Sequence, residues 1–404
     1  MNGPRDDSAS PKRPGATDLF GDLLPPSSPT SGRTSGRTLG LAFGPADTQP
    51  AQPTANSDPK LQPTIPSDET AERRVRSGLR RASVQPADVP IELHTLADSL
   101  TPGIRLGTSS WNFPGWSGLV WADECAESTL SRHGLPAYSA HPLLRTVSLD
   151  RAFYRPMTAT EYARLADQTP EDFRFLVKAP ALITDALVRG ESGQGMQANP
   201  AFLDPELAWS ACAQPLIEGM GSRLGVLVLQ LSPLPQRWLA DGGRALRDAL
   251  RPCLARLQGL RAALPHALLA LEIRNPQLLT PALGDLLKAE GVTYCLGLHA
   301  KMPAIDEQLP MLRALWPGPL VCRWSLHSRH GAYGYEAAKA EYAPFNRLVD
   351  PDPHTRSVLA KVMAATAGAG FDVYVTINNK AEGSAPLSVI ELAREVSPRL
   401  TASA

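Results

Sequence analysis

Eight strand-like runs alternate with helical patterns between residues 104 and 396, and seven of them end at or beside a polar or charged residue. These are Asp150, Lys178, Gln230, Glu272, His299, Ser325 and Asn378. The first run ends instead in Gly107-Thr-Ser-Ser-Trp111. The strand candidates are Ile104–Ser109, Leu144–Asp150, Phe173–Lys178, Leu224–Leu231, Ala267–Ile273, Val292–Leu298, Leu320–Ser325 and Asp372–Asn378, all rich in Val, Leu, Ile or aromatics. Helical periodicity fills most of the intervals: Thr160–Gln168, Pro205–Gly219, Asp241–Leu264, Pro281–Glu290, Tyr335–Arg347, His354–Ala367 and Leu387–Val396. Eight alternations predict an α/β fold of the (βα)₈ TIM type, in which chemistry gathers at the C-terminal ends of the strands. An open doubly wound sheet would show fewer strands and a glycine-rich first turn, and Gly107-Thr-Ser-Ser-Trp-Asn-Phe-Pro-Gly115 is not G-x-G-x-x-G.

A barrel of this kind takes about 250 residues, so the 404-residue chain holds more than the barrel needs. The surplus lies at the front. Residues 1–90 hold 14 of the 39 prolines and only two aromatics, Phe20 and Phe43. Such a segment buries too little apolar surface to offset chain entropy of about 1–2 kcal/mol per residue. It is expected to be a disordered tail, with residues 91–404 forming the barrel. Within the tail, Ser31–Thr38 is a small tandem repeat. Thr17–Leu24 has the form of a short linear motif, and five arginines lie between Arg73 and Arg81. Two barrel connections also stand out, Trp111–Pro142 as a candidate lid and Asp185–Pro200 as a second flap.

Basic and acidic residues balance at 40 each, which gives no global bias toward nucleic acid or membrane. Five cysteines, odd in number and never paired as C-x-x-C, read as reduced thiols. No run reaches the roughly 18 apolar residues of a membrane helix, and the expectation is a cytoplasmic protein without a membrane association. These features leave the oligomeric state open.

Strand side chains alternate between faces, so parity sorts the candidates. Thr146, Ser148 and Asp150 share one face; so do Glu272 and Arg274, then Arg323, Ser325 and His327, then Tyr374, Thr376 and Asn378. The apolar faces should meet the helices, which turns these polar ones into the barrel. A carboxylate there needs a cation, and Lys178, Arg274 and Arg323 are at hand. Glu272 reads either as a general acid or base or as a structural ion pair. With Asp150 it would make a two-carboxylate pair. Lys178, in an otherwise apolar strand, reads as an anion-binding or salt-bridging lysine or, desolvated, as an amine for Schiff-base chemistry. Asn378-Asn-Lys-Ala-Glu-Gly-Ser-Ala-Pro386 follows the last strand, where such folds commonly hold phosphate; Lys380 would face the anion and Ser384 would cap the helix. Asn378, Asn379 and Gln230 offer neutral hydrogen bonds, and Trp111 and Tyr154 offer stacking surfaces. His299, His327 and His330 are too few to argue for a metal, and nothing calls for a cofactor.

Gly107-Thr-Ser-Ser-Trp111 with Gly115-Trp116, Phe153-Tyr154-Arg155, Thr169–Phe175 running into Val177-Lys-Ala-Pro180, Leu229-Gln-Leu231, Glu272-Ile-Arg-Asn-Pro276 and Asn378-Asn379 occur in an order that resembles the YecE-like family, over about residues 104–397. The resemblance implies a TIM-type barrel and no established activity. Ser148 stands where family members carry an acidic residue, and Arg323-Trp-Ser-Leu-His327 replaces an arginine followed by His-Gly. The family looks distantly similar to metal-using sugar-isomerase and endonuclease barrels, whose ligand set this chain lacks. The expected function is binding of a small anionic ligand, a phosphorylated sugar or a nucleotide, at the C-terminal rim, with metal-independent hydrolysis or isomerisation as the enzymatic form. The alternatives are a nucleic-acid-binding or repair-related barrel and a non-catalytic scaffold that recruits a partner through its tail.

Overall fold

The computed structural model describes residues 83–189 and 195–401. The tail features between Thr17 and Arg81 lie outside the described residues. Residues 83–90 run beside the 117–122 segment, with the Ala122 amide donating to Gln85 and the Ala87 amide to Val120, both at 3.0 Å.

Eight parallel strands close into a barrel: β1 (Ile104–Thr108), β2 (Thr146–Leu149), β3 (Arg174–Lys178), β4 (Leu224–Gln230), β5 (Leu268–Glu272), β6 (Thr293–Leu298), β7 (Leu320–Trp324) and β8 (Val373–Ile377). Each pairs with its neighbours in the chain, and β1 pairs with β8 to complete the ring. The (βα)₈ expectation therefore holds, strand for strand. Helices Ala159–Ala166, Gln236–Ala263, Pro281–Ala289, Ile305–Ala314, Pro353–Gly368 and Ala385–Thr401 follow the strands. Ile305–Ala314 was not expected. Pro310 interrupts its donor pattern, and the polar Gln308 occupies a fully buried position. That glutamine accepts from the Tyr294 hydroxyl (2.6 Å) and donates to the Gly297 carbonyl (3.1 Å), which ties the helix to β6.

Two apolar layers result from the alternation. Phe175, Val177, Leu227, Leu229, Leu269, Leu271, Leu296, Val375 and Ile377 pack outward on the helices. Leu176, Val226, Val228, Ala270, Cys295, Val321 and Tyr374 form a separate plug inside the ring. The polar residues of inward parity stack above this plug. Register fixes their heights: Glu272 lies beside Gln230, Arg323 beside both Gly297 and Thr376, and Ser148 beside Leu176.

The stretch Trp111–Pro142, read as a candidate lid, is packed. Trp116 and Trp121 are fully buried and stack with centroids 6.1 Å apart, and Trp116 Nε1 donates to Asn379 at 3.2 Å. The flap Asp185–Pro200 contains an antiparallel ribbon of Leu187–Arg189 with Gly195–Ala198. The ring also closes tightly at one point. A Cβ on Gly107 would lie 1.8 Å from the Thr146 carbonyl oxygen, so only glycine fits where β1 meets β2. Gly107→Ala is expected to cost about 3 kcal/mol or more of unfolding free energy in urea denaturation. A change within about 0.5 kcal/mol would show that the two strands separate easily.

Candidate functional site

Five of the residues singled out by parity, with Gln230, converge above the interior plug. Arg323, at the end of β7, is almost wholly buried and holds two carboxylates at once. Its Nη1 donates to Glu272 Oε2 at 2.6 Å and to Gln230 Oε1 at 2.9 Å, and its Nη2 donates to both oxygens of Asp150 at 3.0 and 3.1 Å. Arg274, two residues past Glu272 on the same face, places Nη2 2.5 Å from Glu272 Oε1 and 3.3 Å from Gln230 Oε1. Ser148, where an acidic residue was expected from the resemblance, donates its hydroxyl to Asp150 at 2.7 Å. Serine thus supports a carboxylate two residues on instead of providing one.

Glu272 has no solvent exposure. Burial pushes its pKa up, but Arg274 and Arg323 outweigh that and hold it below the ordinary carboxylate value. It is a permanent anion locked between guanidinium groups, the ion-pair reading of this residue. Asp150 is a third exposed. Its pKa is also lowered, with Arg323 and Lys178 overcoming the effect of burial. The guanidinium of Arg323 stands between the two carboxylates, so they do not form an open acid/base pair across a substrate bond.

Lys178 is the unusual member. It points inward from the end of β3, with 6% of its surface exposed. The single helical turn Arg151–Tyr154, which follows β2 directly, lays Phe153 across it, with Nζ 3.9 Å from the ring centroid. No carboxylate or hydrogen-bond acceptor reaches Nζ among the described residues. Burial, aided by Arg323 and Arg274 and opposed by Asp150 and Glu272, pulls its pKa down to about 8. The cluster therefore carries three cations against two carboxylates, and the lysine is the cation without a partner. His299, of the same inward parity on β6, is held neutral: burial and then Arg274 pull its pKa to about 4. Its Nδ1 accepts the Lys301 amide at 3.0 Å, which leaves the proton on Nε2.

At the β8 edge of the mouth, Asn378 Nδ2 donates to Ser109 Oγ at 2.7 Å and to the Tyr335 hydroxyl at 3.2 Å. Tyr154 projects from the rim with 83% exposure. The remaining candidates lie apart from the cluster. Trp111 is buried and donates Nε1 to the Leu130 carbonyl at 3.2 Å. Asn379 is buried, and its Oδ1 accepts from Trp116 and from the Ala385 amide (2.8 Å). That amide opens the last helix, so Asn379 does the capping expected of Ser384, whose buried hydroxyl has no hydrogen bond. Lys380 places Nζ 4.4 Å from the Tyr335 ring centroid and 5.8 Å from that of Phe345, and burial lowers its pKa. Tyr335 escaped the sequence reading because it was counted as the first residue of a helix. Its signal was position: the first residue of a helix after a barrel strand faces the mouth.

His330, Glu341 and Asp350 are close enough together to suggest a metal site. Arg329, however, ion-pairs with both carboxylates, and Tyr342 donates to Asp350 at 2.5 Å. The trio is neutralised by protein groups.

A sequence model of the family described as "Protein of unknown function DUF72" matches residues 105–403. The chain belongs to the DUF72 family. The resemblance to a YecE-like family is corrected accordingly, since both the matching family model and the similar solved structures carry the DUF72 designation. One of these is a DUF72 family protein from Enterococcus faecalis, 19% identical, covering 74% of this chain and 95% of its own, with a TM-score of 0.46. A DUF72 family protein from Thermotoga maritima is 18% identical over 72% of this chain and 98% of its own, TM-score 0.42. A D-tagatose 3-epimerase-like protein is 12% identical over 64% and 90%, TM-score 0.37. No curated protein matches the chain. No helix among the described residues is long and apolar enough to cross a membrane.

The two kinds of buried cation respond oppositely to removal. Arg323→Met strands Asp150 and leaves Glu272 to Arg274 alone, and should cost about 3–5 kcal/mol. Lys178→Met, of similar length, removes an unpaired buried charge and should raise the melting temperature at pH 7. In the wild type, Lys178 releases its proton at about 8 when folded and at 10.5 when unfolded. Its contribution is therefore least favourable below pH 8, and stability gains from this group as pH climbs from 8 to 10.5. Thermal scans of both variants across that range check the signs; a destabilised Lys178→Met would show that the amine has a partner.

Proposed function

We propose that the mouth of the barrel binds a small anionic ligand, of the class of phosphorylated sugars or nucleotides. The observation that supports it is Lys178, a buried ammonium with no carboxylate within ion-pair distance among the described residues, in a cluster with three cations and two carboxylates. An unpaired buried charge lowers stability, and such groups persist where they serve a ligand. Arg274 adds a second free donor: its side chain is nine-tenths buried, and its Nη1 has no hydrogen bond. Asn378 and the Tyr335 hydroxyl lie at one edge for neutral contacts. Exposed Tyr154 and Tyr333 give the rim aromatic faces for the sugar or base of such a ligand.

This reading places the anion at Lys178 and not at Lys380. Lys380 is engaged with two aromatic faces, and the helix N-terminus behind it is filled by Asn379 and adjoined by the buried carboxylate of Glu382. Calorimetry with sulfate, whose charge is fixed across the range, tests the placement. Lys178→Met should weaken binding at least about tenfold, the loss of a charge-assisted hydrogen bond of about 1.5–3 kcal/mol. Lys380→Met should change it little. Wild-type affinity should fall as pH rises through about 8, where Lys178 loses its proton. Equal affinity in wild type and Lys178→Met would refute the reading.

A further inference from the structure

The same lysine has a second capacity, which rests on the anion-binding reading and extends it to covalent chemistry. We infer that Lys178 is a Schiff-base nucleophile whose substrates are small aldehydes or ketones bearing a phosphate or carboxylate. Three features of the geometry carry this. The amine stands at the C-terminal end of a barrel strand, at the mouth, and is not neutralised by a carboxylate within ion-pair distance. Phe153 covers it from one side and the strand interior encloses its stem, so the amine is desolvated without being sealed. Asp150, Arg323, Glu272 and Arg274 all lie close enough to act on it, burial outweighing them, and Arg274 keeps Nη1 free for the anionic end of the same molecule. A lysine desolvated in a dry site is the arrangement that makes an amine nucleophilic near neutral pH.

The charged groups acting on Lys178 come from three strands: Asp150 follows β2, Glu272 and Arg274 lie on and just past β5, and Arg323 lies on β7. With a pKa of about 8, about a tenth of the lysine is free amine at pH 7, against less than about a thousandth of an ordinary lysine. In the reaction the Nζ lone pair adds to the carbonyl carbon, the carbonyl oxygen takes up a proton and the nitrogen gives one up. The resulting hydroxyl then leaves as water, taking a second proton, and the nitrogen lone pair forms the C=N bond of a protonated imine. Overall, amine, carbonyl and one proton give iminium and water, so no oxidant, reductant or metal is consumed. Asp150, a third exposed and anchored by Arg323 and Ser148, is an ionised carboxylate whose charge acts on Lys178 and would favour the cationic iminium.

Reductive trapping tests the inference on the full-length chain. Glyoxylate and glycolaldehyde phosphate serve as probes, cyanoborohydride supplies hydride to any iminium carbon, and peptide mass spectrometry locates the resulting secondary amine. Lys178 is expected to gain the reduced adduct at least about tenfold faster than exposed Lys361 at pH 7, and Lys178→Arg, which keeps the positive charge but cannot form the imine, is expected to lose it. Adducts spread evenly over surface lysines, or centred on Lys380, would overturn the inference. So would a wild-type chain that binds sulfate but gains no mass at Lys178, and in that case anion binding would stand while the covalent step fell. Excess sulfate should slow the trapping in proportion to site occupancy; trapping indifferent to sulfate would place the reaction outside the anion site and overturn the inference as stated.

Discussion

The Arg323 guanidinium, spanning Glu272 and Asp150, is the contact on which the rest of the mouth depends. One planar fork meets carboxylates from two other strands and the amide of Gln230 from a third. That is possible only in a closed barrel, where β2, β4, β5 and β7 all aim their ends at one axis. The interaction also fixes what the site can be. It keeps both acids ionised and holds them apart, which removes Glu272 from proton transfer and leaves Asp150 as the accessible carboxylate. Because the guanidinium pairs with the two anions, no carboxylate is left within ion-pair distance of Lys178 among the described residues, and that surplus cation gives the mouth its character.

This arrangement gives up stability at one buried amine, which the proposed chemistry would use. A barrel interior tolerates buried ions when each has a partner, and every arginine in the cluster does. Among the described residues Lys178 has only an aromatic face against its ammonium, with Asp150 and Glu272 favouring its charge and Arg323 and Arg274 opposing it. Anion binding and nucleophilic attack both draw on this single feature, in opposite protonation states. Below about pH 8 the ammonium attracts the anion, and the minor free-amine fraction provides the nucleophile. A ligand whose anionic end is held by Arg274 would let the lysine change roles.

Much of this was legible in the sequence because a strand has a period of two. Parity alone placed Asp150, Glu272, Arg274 and Arg323 inward, and the polar ends of the strands marked the rim where they converge. The apolar neighbours of Lys178 flagged it as well. What periodicity cannot encode is the path of a loop. Trp111 and Asn379 looked like site residues because they flank strand ends, yet the packed segment around Trp116 and Trp121 draws both into structural roles. Lys380 turns onto Tyr335, which was itself hidden as a helix start. The helix Ile305–Ala314 was missed for a related reason: Pro310 and the buried Gln308 break the apolar pattern that tertiary packing on Tyr294 restores. Distances between side chains on different strands were likewise invisible, so the choice between an open carboxylate pair and an arginine-bridged one had to come from the structure.

The account stands most directly on the protonation of one amine. An NMR titration of the Lys178 side chain, with its resonance assigned by its absence in Lys178→Met, measures that property without assuming any ligand. A midpoint near 8 is what the desolvated, unpaired arrangement predicts. A midpoint at the ordinary 10.5 or above would mean that the ammonium is hydrated or ion-paired, and would contradict the account.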